Sequence, residues 1–210
     1  MKISFKFHYA FLLVAVSVFI AGCESKEKVA SSNPPPATMS PPAVAASQPV
    51  APATNVPPVE KTVVRIKAGA SSPVTDSQGN VWLADQGFSG GDTIERPDLT
   101  ITNTTEPEIY RSEHYSMDSF SWPLANGKYL VKLHFCETYE GITDKGQRVF
   151  SFNVQGHEFK DFDVWAKAGG PLTAYVETVP VEITDGKLLI TFTSNIENPQ
   201  INGIEIIPQP

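Results

Sequence analysis

Two short runs in this chain set side chains that can do chemistry next to one another: Glu113-His114-Tyr115 and Cys136-Glu137-Thr138-Tyr139-Glu140. A phenol ring presents an apolar face that covers the CH face of a pyranose, and an adjacent carboxylate accepts protons from its hydroxyls. Aromatic and acidic neighbours of this kind therefore suit a sugar. Hydrolysing a glycoside would ask for two carboxyl groups about 5 to 9 Å apart across the sugar. Spacing along the sequence does not place Glu113, Glu137 and Glu140 relative to one another in that way. The plain reading of Glu137 is a strand-end carboxylate satisfied by backbone amides or a neighbouring hydroxyl. No GxSxG motif offers a serine nucleophile, and no arrangement of bases beside Cys136 would activate its thiol. His114, His134 and His157 are dispersed without HExxH or His-x-His spacing, so neither a transition-metal site nor a cofactor is expected. A structural calcium held by loop carboxylates stays open, without EF-hand spacing to support it.

The elements that must position these groups read as strands. Tyr129, Val131, Leu133 and Phe135 share one parity while Lys132 and His134 take the other, the period-2 pattern of a strand with one face in a core. Glu137 and Tyr139 continue the apolar parity where that strand should run out, which carries both to a rim. Asn126-Gly127 predicts a hairpin joining Phe120–Leu124 to the Tyr129 strand, and Gln155-Gly156 predicts another after Phe150, Phe152 and Val154. Val179, Val181 and Ile183 alternate up to Asp185-Gly186, and Leu188, Ile190 and Phe192 alternate away from it, again the pattern of paired antiparallel strands. Ile201, Ile204 and Ile206 form a last strand. The run Asp85-Gln86-Gly87-Phe88-Ser89-Gly90-Gly91 is a loop of tight turns; no GK[ST] and no helix pattern follow it to make a phosphate cradle. No segment keeps a 3.6-residue period, so the fold expected is all-β, an antiparallel β-sandwich. Trp82, Phe120 and Trp122 are assigned to core packing.

The chain has 210 residues, 41% of them hydrophobic and 19% charged, with a net charge of -7. Lys2 and Lys6 are the only charged residues before Cys23, so the remainder is more acidic than the whole. Nucleic-acid binding, which draws its affinity from cationic contacts, is excluded as a function class. Residues 1–22 read as a signal: two lysines, the apolar run Phe11 to Ile20, then Ile20-Ala21-Gly22-Cys23. That run is shorter than the roughly 20 residues needed to span a bilayer. The junction resembles the bacterial lipobox, which implies cleavage before Cys23 and lipid attachment to it; an acylated Cys23 leaves Cys136 without an intrachain disulfide partner. Residues 23–60 are a tether, with Val29 to Val59 free of charge and rich in Pro and Ala. At about 3.1 Å per residue such a stretch could hold its cargo roughly 90 Å from an anchor. Residues 61–210 are then the one folded domain.

Several runs within that domain resemble the malectin domain family in the right order. They are Arg65-Ile66-Lys67-Ala68-Gly69, Asp76-Ser77-Gln78-Gly79-Asn80-Val81-Trp82, Ile109-Tyr110-Arg111-Ser112-Glu113-His114-Tyr115, Phe135-Cys136-Glu137-Thr138-Tyr139, Gly146-Gln147-Arg148-Val149-Phe150 and Asn198-Pro199. The resemblance implies a jelly-roll, galactose-binding-like sandwich that binds glucose disaccharides through loop aromatics and an acidic residue. Tyr115 and Tyr139 match two binding tyrosines of the family. A third falls near Gly87 or Phe88. The residue after Tyr139 is phenylalanine in the animal lectin and Glu140 here, and the acid before Asn198-Pro199 is aspartate there and Glu197 here. The carbohydrate-binding residues expected are thus Phe88, Tyr115, Tyr139, Glu140 and Glu197.

Together these features predict a non-catalytic module of the bacterial cell envelope, lipid-anchored through Cys23 to the membrane, the outer membrane being the expected one. Its ligand would be a glucan or related oligosaccharide, and a glycan-processing enzyme is a candidate partner. The alternative is an envelope structural or protein-docking sandwich that has lost sugar binding, which the exchange of an aromatic for Glu140 motivates.

Overall fold

The structure is a computed structural model that describes residues 61–210; the expected signal, the lipid attachment expected at Cys23 and the expected tether lie outside the described residues. Strand β1 (Val64–Lys67) is followed by a short hairpin of β2 (Val74–Thr75) and β3 (Val81–Trp82). Next come β4 (Phe88–Ser89), β5 (Asp92–Glu95), β6 (Ser112–Tyr115), β7 (Ser119–Pro123) and β8 (Gly127–Phe135). The strands β9 (Val149–Val154) and β10 (His157–Phe162) lead into a short helix, α1 (Val164–Ala168). The last four strands are β11 (Tyr175–Ile183), β12 (Lys187–Ile196), β13 (Gln200–Ile201) and β14 (Gly203–Pro208).

Two antiparallel sheets face each other, one ordered β1-β14-β8-β11 and the other β10-β9-β12-β7-β4. The alternation of β8 does what its period requires: Tyr129, Val131, Leu133 and Phe135 are all buried. Facing them from the second sheet are Phe120, Phe150, Phe152, Val154, Leu188 and Ile190. The Phe135 ring stands 5.0 Å from Phe162 and 5.8 Å from Phe152. Each such side chain contributes about 1.5–3 kcal/mol when fully buried. The antiparallel β-sandwich expected from the sequence is the fold observed.

His134, on the opposite parity of β8, is buried as well, because a second small core covers the outer face of that sheet at one end. Trp82, Ile101, Ile109, Tyr110, Cys136 and Ala174 form it. Tyr110 Oη lies 2.9 Å from His134 Nδ1, and His134 Nε2 lies 3.1 Å from Glu205 Oε1. Cys136 is fully enclosed there, and burial pushes its thiol up to about 12, far from the thiolate a nucleophile needs.

The hairpin expected at Gln155-Gly156 is present, with His157 paired to Val154. Both turn residues take positive φ, 48° and 94°, as a tight two-residue turn demands. Two other expected hairpins are not. β7 pairs with β12 and β4, whereas β8 pairs with β14 and β11, so Asn126-Gly127 passes from one sheet to the other. Asp185-Gly186 likewise connects β11 to β12 across the sandwich. A turn dipeptide fixes the reversal of the chain but not which sheet receives it, and alternating strands look the same in either case. The two crossings lie side by side: Asn126 Nδ2 donates to the Thr184 carbonyl and the Gly186 amide donates to Asn126 Oδ1, each at 3.0 Å.

Candidate functional site

A third, small sheet of order β13-β6-β5 builds one wall of the site. Within β6 the strand period separates two jobs. Ser112 and His114 point to one face, where Ser112 Oγ donates to the Ala68 carbonyl and His114 Nδ1 meets Asp85 Oδ2 at 2.9 Å. Glu113 and Tyr115 point to the other face, into a cleft of about 260 Å³ lined also by Ile94, Arg96, Tyr139, Arg148, Glu197 and Asn198.

Just past the end of β8 the chain bends so that Glu137 goes in and Tyr139 goes out. Glu137 is buried and accepts from the Tyr139 amide at 3.0 Å and from Arg148 Nε at 2.7 Å. Burial pushes its carboxyl above the usual glutamate range, against the pull of Arg148 and the Tyr139 amide. Tyr139 is 46% exposed, and its ring lies over Gly141, where a Cβ would approach to 2.5 Å. Any larger residue at 141 would push the ring out of place. The floor is a second ion-pair cluster: Arg96 Nη1 lies 3.0 Å from Glu113 Oε1 and 3.0 Å from Thr138 Oγ1, which in turn donates to Glu113 Oε2 at 2.7 Å. Across the cleft, Glu197 sits at φ 64° ahead of Asn198, whose carbonyl accepts from Arg148 Nη1 at 2.7 Å.

Of the residues singled out in the sequence, Tyr115, Tyr139 and Glu197 converge on this cleft from positions far apart in the chain. Phe88 and Glu140 are not among the residues lining it. Phe88 stacks on His114 at 4.3 Å and packs 5.1 Å from Phe120, so it lies against the face of β6 opposite to Tyr115. Glu140 is exposed at the turn beyond Tyr139. The sequence reading did not find Arg96 or Arg148 as site residues. Arg148 lay within a run used for family resemblance, with no spacing to reveal its contact with Glu137; Arg96 carries no local signal at all. Among the described residues, no group of three or more His, Cys, Asp or Glu side chains is arranged to hold a metal ion.

The class defined by this fold and site is an antiparallel β-sandwich with a rim cleft of one exposed and one half-buried phenol over a layer of ion pairs. The Malectin domain model matches residues 62–204, and the chain belongs to the malectin domain family. Malectin-A of Xenopus laevis is 32% identical over 157 residues, covering 69% of this chain and 55% of the relative. Malectin-B of the same organism is 32% identical over 111 residues, covering 49% of this chain and 39% of the relative. The chain thus matches only about half the length of these relatives or less. Among solved structures, a Bacteroides uniformis beta-glucuronidase superposes with a TM-score of 0.64 at 16% identity, over 71% of this chain and 18% of that one. That likeness is one of fold.

Proposed function

We propose that the protein is a non-catalytic carbohydrate-binding module, held at the bacterial cell envelope by a lipidated Cys23 and taking a glucan or related oligosaccharide at the rim cleft. The observation that carries this reading is the convergence of Tyr115, Tyr139 and Glu197 on one opening. Phenol faces and a carboxylate at the mouth offer stacking and hydrogen bonding together, and the ion pairs beneath keep the wall rigid. Each sugar face stacked on a tyrosine buries about 60 Å² of apolar surface, roughly 1.5 kcal/mol. After the cost of fixing a ligand, dissociation constants between about 1 μM and 1 mM follow.

Calorimetric titration of gluco-oligosaccharides tests the site. Tyr139→Ala should abolish binding while leaving the melting temperature within a degree or two, since the ring is half exposed and outside the core. Undiminished affinity in that variant would remove the cleft from consideration. Release of reducing ends on prolonged incubation would instead mark a hydrolase. The anchor is checked by mass spectrometry of the mature N-terminus, which should begin at an acylated Cys23; a Cys23→Ser protein should leave the membrane fraction.

A second reading, an envelope structural or protein-docking sandwich that has lost sugar binding, is favoured by Glu140, an exposed carboxylate beside Tyr139 where the family resemblance gives phenylalanine. A partner glycan-processing enzyme would fit either reading. Co-purification of a partner that survives Tyr115→Ala, with no glycan bound, would favour docking.

A further inference from the structure

Arg148 is held as few arginines are. Its side chain is only 5% exposed, its Nε is fixed by Glu137 Oε2 and its Nη1 by the Asn198 carbonyl, each at 2.7 Å. Its third nitrogen, Nη2, makes no hydrogen bond among the described residues. It is not a sealed atom either: the fully buried side-chain atoms without a partner are Gln200 Oε1 and Asn202 Oδ1. Arg148 is itself one of the residues lining the cleft. A largely buried guanidinium with Nε and one Nη1 proton engaged and Nη2 unpaired, beside a cavity that it lines, is a donor waiting for an acceptor.

We infer that Arg148 is a ligand-contacting, specificity-determining residue of the cleft, presenting Nη2 to a sugar oxygen while Glu197 accepts from a neighbouring hydroxyl. The inference rests on the carbohydrate-binding reading of this site. Two features support the pairing. By holding the Asn198 carbonyl, Arg148 also fixes the segment in which Glu197 stands, so donor and acceptor share one rigid mount. The positive charges are already matched, Arg96 by Glu113 and Arg148 by Glu137, which leaves Glu197 as the unmatched charge of the lining. The cleft then offers one fixed donor and one charged acceptor, the complement of two adjacent hydroxyls. A carboxylated sugar would bring its charge against Glu197 and bind less well.

The test uses the purified full chain and a panel of α- and β-linked gluco-disaccharides, their monodeoxy analogues and the corresponding glucuronic-acid disaccharides, titrated by calorimetry. In the wild type, removal of one particular hydroxyl should cost about tenfold or more in affinity, the worth of a hydrogen bond to a charged group. Arg148→Lys should lose a similar factor for the parent disaccharide and show no additional loss for that one deoxy analogue. Glu197→Gln should narrow the preference for neutral over uronic sugars. Urea unfolding of Arg148→Lys monitors the Glu137 pairing separately. An Arg148→Lys protein that weakens parent and every deoxy analogue by one common factor would show a structural role alone and overturn the inference, with the lectin reading intact. Absence of binding by the wild type to every saccharide in the panel would overturn both.

Discussion

Glu137 and Tyr139 stand two residues apart and have opposite fates, and the difference sets what each can be asked to do. Glu137 is 1% exposed and paired with Arg148, so removing it strands a buried guanidinium. Glu137→Ala should destabilise the domain by about 3–5 kcal/mol, measured by urea unfolding, because the remaining, largely buried charge loses its counter-ion. Glu137→Gln keeps a hydrogen-bond acceptor and should cost less. The sequence reading of Glu137 as a satisfied strand-end carboxylate holds for its amide contact and lacked only the arginine. That omission has a physical cause: Arg148 is brought over by the long loop between β8 and β9, and nothing along the chain records where such a loop returns.

At the level of elements, β8 organises the sandwich. Its nine residues pair with β11 on one side, and six of them, Tyr129 to His134, with β14 on the other. Its inward parity was legible because a half-buried strand must alternate. Sheet membership was not, as the paired crossings at Asn126-Gly127 and Asp185-Gly186 show. The Asn126 side chain is the visible tie between these crossings, bonded to Thr184 and Gly186. Asn126→Ala removes two solvent-exposed hydrogen bonds and should lower stability by about 1 kcal/mol. Thermal unfolding should show a fall of a few degrees with the cleft unaffected.

For the molecule as a whole, His114 ties the loop carrying Asp85 and Gly90 to β6. Its Nδ1 faces the Asp85 carboxylate and its Nε2 lies 2.9 Å from the Gly90 carbonyl, so both nitrogens meet acceptors and the ring is suited to carry two protons. Burial alone would depress its pKa, but the hydrogen bonds and charge of Asp85, with the Gly90 carbonyl, hold it above the ordinary 6.5. A raised folded-state pKa stabilises most below the unfolded value, and that contribution is lost as pH rises through the folded one. The urea midpoint should therefore decline as pH climbs from about 6.5 upward. His114→Gln should flatten that decline; an unchanged slope in the variant would assign it to other groups.

The sequence by itself determined the all-β class, the inward face of each long strand and the two tyrosines of the rim. These follow from local rules, the two-residue period of a strand and residue types matched run by run. Tertiary structure alone decided that Tyr115, Tyr139 and Glu197 open on one cleft, that Phe88 packs behind it, and that Arg96 and Arg148 underlie it. Those outcomes depend on which sheet each strand joins and where each loop comes back, and contacts between distant segments are set by packing in three dimensions, which no local pattern carries.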